Sequence, residues 1–261
     1  MTILLCISVF LVAYLVNATM ISLFYHRGLA HDALALHPRL ERFVGRWGIW
    51  LTGIDPKGWV CMHRRHHAFS DGPEDPHSPV QFGLLGLLPG QLRSYERTLV
   101  RLLGRDRAYA ASVEDLDFPI SPVIRSGRWY LPYIVHLGIA VALSVGSGVW
   151  PLGAAYFLGL MSHPIEGWIV NALGHAVGGR NFDTDDNSRN NHFGAWLILG
   201  EGFQNNHHAY PDSARFSYRA SEIDPGYGLS LLLERAGLVS IRRETLIPVR
   251  SRVAARPAVS S

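Results

Sequence analysis

The first 26 residues, MTILLCISVFLVAYLVNATMISLFYH, contain no Lys, Arg, Asp or Glu. An apolar run of that length crosses a hydrocarbon layer of roughly 30 Å as a single helix. It has no basic segment before it and ends in Tyr-His-Arg instead of a small-residue cleavage site, so it reads as a span and not as a secretion signal. Two further apolar blocks, WYLPYIVHLGIAVALSVGSGVW (Trp129–Trp150) and PLGAAYFLGLMSHPIEGWIVNALGH, meet at Pro151. They predict a membrane hairpin with Trp129 and Trp150 as interfacial anchors. Transmembrane spans are thus expected over residues 2–25, 129–149 and 151–172.

After the first span, PRLERFVGRWGIWLTGI (Pro38–Ile54) places Leu40, Phe43, Val44, Trp47 and Trp50 at helical spacing, with Glu41, Arg42 and Arg46 elsewhere. A fourth span here would carry the next histidine-rich stretch to the side opposite His26. The pattern therefore predicts an interfacial amphipathic helix lying on the membrane surface. GQLRSYERTLVRLLGRDRAYAASVEDLDF predicts an amphipathic helix and connector outside the membrane, across residues 90–128, and SRVAARPAVSS (251–261) a disordered tail. The expected fold is an all-α integral membrane protein with a single domain over residues 1–250, whose helical cap is built from 26–128 and 173–250.

Charge orients these elements. All 24 Lys and Arg lie between Arg27 and Arg128 or from Arg180 onward. By the positive-inside rule the N-terminus faces out, and the cap lies on the cytoplasmic side of the cell (inner) membrane. A net charge of +3 on a chain that is 48% hydrophobic suits anionic lipid head groups. The arginines are scattered and build no basic reading helix, which argues against nucleic acid as a partner. Cys6 and Cys61 are too few for a disulfide framework or a Cys-ligated zinc or iron–sulfur module, so any redox partner lies outside the chain.

Of the 13 histidines, eight fall in four short groups. His26 and His31 flank RGLA at the end of the first span, and His63, His66 and His67 form HRRHH. His175 follows Asn171 by four positions, and His207 and His208 follow Gln204 in GEGFQNNHHAYP. Helix positions three and four apart share a face, so the second, third and fourth groups each turn to one side. His26 and His31, five apart, diverge on an ideal α-helix, and Gly28 is expected to mark a bend where that helix ends. The topology drawn from charge alone places all four groups on the cytoplasmic side.

A lone histidine is more often a hydrogen-bonded core or surface residue than a ligand. Eight converging imidazoles with arginines among them would repel one another when protonated, whereas a metal requires them neutral. Imidazole suits Zn, Cu, Fe and Ni alike. Eight nitrogens and the amides of Asn171 and Gln204 exceed one tetrahedral zinc and match two metals of higher coordination. Carboxylate di-iron proteins use Glu-x-x-His pairs, and the one such pair here, Glu74 to His77, sits in a proline-rich loop. An all-nitrogen dinuclear iron centre is what remains.

HRGLAH, HRRHH and NNHH, with NALGH between the second and third, resemble the histidine boxes of membrane fatty acid desaturases, most nearly the delta-9 acyl-CoA type. The likeness extends to GWVCMHRRHHAFSDGPEDPHSP, GWIVNALGH, GGRNFDTDDNSRNN and EIDPGYG, and so covers residues 25–240. It implies that His26, His31, His63, His66, His67, His175, His207 and His208 ligate two iron ions, with Asn171 acting through water and Trp59 lining an acyl tunnel. It further implies O2-dependent insertion of a cis double bond into a long acyl chain. The electron donor is then external, a ferredoxin or a cytochrome b5-like protein. The same scaffold also serves hydroxylases, acetylenases and oxidative decarboxylases, and it acts on acyl-lipid as well as acyl-CoA.

The chain departs from that pattern at Gln204, where relatives usually have His; front-end desaturases also carry Gln there, so Gln204 is read as a weaker amide ligand or a water contact, with altered chemistry as the alternative. His192, in RNNHFGAW, is read as a surface histidine, with compensation for Gln204 as its alternative. Relatives usually have another span before the first box, so this protein either works with three spans or has its start codon placed late. Within the hairpin, His136, His163 and Glu166 are ionisable groups at membrane depth. His163 and Glu166, three apart, are expected to pair and hold helices together.

Overall fold

The structure, a computed structural model, describes residues 2–246, so the tail expected over 251–261 lies outside the described residues. Helix α1 (Thr2–Thr19) runs without a break into a π-helical segment (Met20–Ala30). Together they form the one helix, among the described residues, that is long and apolar enough to cross a membrane. Strand β1 (Leu34–Leu36) leads to α2 (Pro38–Thr52), α3 (Pro56–Phe69) and α4 (Pro79–Leu103). The short α5 (Arg107–Ala111) and α6 (Pro122–Arg125) connect to α7 (Leu131–Ser147), α8 (Trp150–Leu160) and α9 (His163–Gly174). Helices α10 (His192–Leu197), α11 (Gln204–Ala209) and α12 (Pro225–Arg235) follow, then β2 (Val239–Ile241). The protein is mostly helical. The all-α expectation is amended by one antiparallel pair, in which Leu34 faces Ile241 and Leu36 faces Val239.

Three predicted elements differ in detail. The third apolar block is two helices, because the chain breaks at Met161–Ser162 and restarts with Pro164 in the first turn of α9, where a missing N–H costs nothing. The amphipathic helix expected from residue 90 begins at Pro79, capped by the Ser78 hydroxyl accepting from Val80 N, and is interrupted at Gly83, whose φ of 67° only glycine adopts freely. The expected bend at Gly28 does not occur, since the helix continues through it to Ala30.

Helices α1, α7 and α8 pack tightly through small residues. A Cβ on Gly153 would sit 1.9 Å from the Ala140 carbonyl oxygen of α7, and one on Gly159 would sit 2.6 Å from the Phe10 carbonyl oxygen of α1. The costly histidine of this bundle is satisfied: His136 pairs through Nδ1 with the Tyr156 hydroxyl at 2.6 Å and through Nε2 with the Trp50 carbonyl at 2.5 Å, joining α7 to α8 and α2. The expected His163–Glu166 pair is not made. Glu166 instead accepts from the Ser162 hydroxyl at 2.5 Å, and His163 Nε2 accepts from Trp59 Nε1 at 3.0 Å, because α9 packs its first turn against α3. Helix α2 buries Val44, Gly48 and Ile49 and turns Phe43 and Trp47 outward, the amphipathic arrangement its pattern predicts.

A fully buried guanidinium ties the end of the first helix to the C-terminal third. Arg27 donates to Glu201 at 2.8 Å, to Asp224 at 3.1 Å, and to the carbonyls of Leu199 and Ala214, each at 3.1 Å. It also lies 3.9 Å from the Phe216 ring centroid. Asp224 caps α12 through Tyr227 N at 2.9 Å, so one cation organises the ends of two elements. Removing it strands two buried carboxylates. Arg27→Ala is expected to destabilise the protein by about 3–5 kcal/mol, read as a lowered melting temperature in detergent, whereas the exposed Arg219→Ala leaves it unchanged.

Candidate metal centre

Helix α3 begins at Pro56, capped by Asp55, whose carboxylate accepts from Gly58 N at 3.0 Å. His63, His66 and His67 then project from one face of its last turns. His26 and His31 approach from the π-helical segment. Its i to i+5 bonding, seen as His31 N to His26 O at 3.1 Å, brings residues five apart onto one side. Their ring centroids are 5.0 Å apart, so the divergence expected of an ideal α-helix is corrected by the helix type. His175 caps the C-terminus of α9. His207 and His208 lie on α11, which is pressed against α9 at Gly174, where a Cβ would meet Gln204 Cγ at 2.4 Å. Buried asparagines fix α11: Asn205 Oδ1 accepts from the backbone of Asn181 and Phe182, and Asn206 donates to the Phe216 carbonyl at 2.7 Å and to Glu222 at 2.9 Å.

The eight sequence-predicted imidazoles meet in two adjoining groups. His26, His31, His63, His67 and His207 form one, and His66, His175 and His208 the other, with the donor atoms of each group within 4.8 Å of one another. In the first, His26 and His207 approach through Nε2 at 2.9 Å, His31 and His63 at 2.8 Å, and His67 and His207 at 2.9 Å. In the second, His66 and His208 approach at 3.3 Å. The groups touch where the His67 and His208 rings lie 4.5 Å apart. Asn171 and Gln204 line the same cavity as His26, His63 and His66. His192 is exposed, packs on Phe203 and does not join either group.

Carboxylates behind the rings set their tautomers. His26 Nδ1 faces Glu201 at 2.7 Å, His66 Nδ1 faces Asp75 at 2.9 Å, His175 Nδ1 faces Asp71 at 3.0 Å, and His208 Nδ1 pairs with Asp186. A carboxylate only accepts, so in each case Nδ1 carries the proton and Nε2 carries a lone pair aimed inward. Two such lone pairs at 3.3 Å repel unless a cation lies between them. Nitrogens held at right angles, each about 2.1 Å from one cation, lie about 3 Å apart. His175 Nε2 is buried with no hydrogen-bond partner among the described residues, as a ligand atom would be. The residues present therefore fit metal ions, and the chemistry of the donor set favours transition metals.

Electrostatics agree. Burial first, and then the charge of neighbouring imidazoles, holds His31, His63, His67 and His207 well below the ordinary histidine range, in the neutral form that binds a cation. Burial raises Asp71 and Asp186, but hydrogen bonding and charge from His175 and His208 respectively outweigh it and leave both well below the usual carboxylate range.

Trp59 stacks on His63, with centroids 4.8 Å apart and planes 10° apart, and lines a cavity that runs from the imidazoles past Ile54, Met62, Leu92 and Tyr95. Sequence reasoning missed the four carboxylates, although all stand in quoted motifs: Asp71 and Asp75 in SDGPEDPHSP, Asp186 in DTDD, Glu201 in GEGF. It also passed over His77, which is buried with its ring 4.3 Å from that of His66. Glu74, its apparent partner, is exposed and pairs with Arg65.

The sequence model of the family described as fatty acid desaturase matches residues 2–222. The chain belongs to the fatty acid desaturase family. It is 32% identical to a delta-9 acyl-lipid desaturase of Arabidopsis thaliana, over 90% of this chain and 74% of that protein. It is 33% identical to a hex-5-enoyl-[acyl-carrier protein] acetylenase of Moorena producens, over 82% and 69%, and 33% identical to an acyl-CoA 5-desaturase of Anemone leveillei, over 84% and 65%. This family member is thus a membrane-associated oxidoreductase that acts on fatty acyl chains with O2. Because the carboxylates orient the ligands and raise their basicity, Asp186→Ala is expected to weaken metal binding about 10- to 100-fold in chelator competition, with Asp186→Asn, which keeps an acceptor for Nδ1–H, weakened less.

Proposed function

We propose that the protein inserts a cis double bond into a long acyl chain, of delta-9 type and carried as acyl-CoA, at a histidine-bound pair of iron ions. The observation that carries this reading is the convergence of eight imidazoles, in groups of five and three, at the end of an apolar cavity. His26, His31, His63, His67 and His207 hold one iron. His66, His175 and His208 hold the other, with the Gln204 amide beside them and Asn171 acting through water. Bound iron supplies the activation of O2 that an unactivated C–H bond requires, because no acid or base in the chain can abstract from such a bond.

The chain's own residues do the aiming. Ile54, Met62, Leu92 and Tyr95 form an apolar slot that excludes water and straightens a hydrocarbon chain toward the imidazoles. Trp59 is fixed between slot and ligands by its stack on His63 and its hydrogen bond to His163. Two hydrogens leave adjacent methylenes and, with two electrons from an external ferredoxin or cytochrome b5-like donor and two protons from solvent, O2 is reduced to two waters.

The same reading sets the protein in the membrane. α1 with the π-helical segment forms one span, α7 the second, and α8 with α9 a broken third, while the arginines keep the helical cap and the imidazoles on the cytoplasmic side of the cell membrane. Residues 1–250 act as one catalytic domain.

Expression in a desaturase-deficient host, with double-bond mapping of the lipids, is expected to yield new cis monoenes. His67→Ala is expected to abolish them and to lower iron content. Acetylenic, hydroxylated or shortened products would replace this reading with a related oxidation, as the likeness to an acetylenase keeps in view. Feeding labelled acyl-CoA to membranes distinguishes thioester from acyl-lipid substrates.

A further inference from the structure

The two imidazole groups are unequal: five rings converge in one and three in the other. Gln204 stands beside the smaller group and supplies an amide, a weaker donor than imidazole, toward the same cavity. Two further buried imidazoles line this cavity, His163, which is held by Trp59, and His77. His77 follows Pro76 in the loop after α3, is 4% exposed, and lines the same cavity as His66, Asn171 and Gln204. Both of its ring nitrogens are buried without a hydrogen-bond partner among the described residues. An uncompensated buried nitrogen is costly, so a ring left with both unpaired needs a partner that the described protein atoms do not supply.

Its ring lies against a ring of the smaller group. The His66 and His77 centroids are 4.3 Å apart with planes inclined by 52°, as close as His26 and His63 at 4.4 Å within the five-membered group. His66, Asp75 and His77 bring donor atoms within 4.8 Å of one another. The backbone holds the loop rigidly: Asp75 accepts from His77 N at 2.9 Å and from Asp71 N at 2.7 Å while it orients His66. One carboxylate thus positions His66 through its side chain and His77 through its main chain.

We infer that His77 is the fourth imidazole of the smaller metal site, providing the nitrogen that Gln204 does not. The inference rests on the two-iron reading above, and its test separates the two. Iron per chain is measured on purified protein in detergent, with 57Fe Mössbauer spectra, for the unaltered protein, His77→Ala, Gln204→His, the double variant and exposed His192→Ala. The unaltered protein and His192→Ala are expected to hold two irons per chain; fewer in the unaltered protein sinks the two-iron reading itself. His77→Ala is expected to fall to about one, with the signal of one iron environment lost, and the double variant to recover the second iron. Recovery rules out simple misfolding, because restoring a nitrogen at residue 204 repairs no loop. Two irons in His77→Ala overturn the inference, and so does a loss that Gln204→His fails to rescue.

Discussion

Four of the eight converging imidazoles have their Nδ1 proton committed to a carboxylate, and this commitment governs the centre. Once Glu201, Asp71, Asp75 and Asp186 hold those protons, the Nε2 lone pairs have no choice of direction and face one another across a buried space. Protonating His66 and His208 is opposed first by burial and then by the neighbouring rings. A cation is the one partner that converts the repulsion into attraction. The carboxylates are buried in their turn and need donors of their own: Asp75 takes two backbone N–H groups, Asp186 takes the Ser188 and Thr184 hydroxyls, and Glu201 takes Arg27 and Ser22. The loops that looked like connectors are there to meet that demand.

Helix type is the second determinant. On α3, spacings of three and four suffice to bring His63, His66 and His67 to one side. His26 and His31 are separated by five, and only π bonding makes that separation a shared face. Arg27, buried on the same segment, binds Glu201 and so supports the ring next to it in sequence. A strictly α-helical end to the first helix would turn His31 away from His26.

Much of this could be read from residue order, for identifiable reasons. Apolar blocks, positive charges and histidine spacing are local signals, and they led to the helices, to the ten candidate residues, and to the family. What escaped depended on partners distant in sequence. The π segment has no signature distinct from an α-helix, the break at Met161–Ser162 lies between two apolar runs that read together as one span, and the helix through Pro89 contradicts a local rule. His163 was matched with the nearest carboxylate, Glu166, but a tryptophan 104 positions away holds it. The supporting carboxylates sat in plain view in polar loops, yet nothing about an aspartate in a loop says which ring it will face.

The distribution of those carboxylates makes the two imidazole groups chemically different. In the three-imidazole group every ring has its own: Asp75 behind His66, Asp71 behind His175, Asp186 behind His208. In the five-imidazole group only His26 is so backed among the described residues, and its Glu201 also neutralises Arg27. A proton shared with a carboxylate makes an imidazole a stronger donor, so the smaller group offers fewer nitrogens of higher basicity within a more negative field. Positive charge on a cation would therefore be stabilised more by that group than by its neighbour. Two ions of one element in these two settings would not share a reduction potential, and the asymmetry comes from loops outside the histidine boxes.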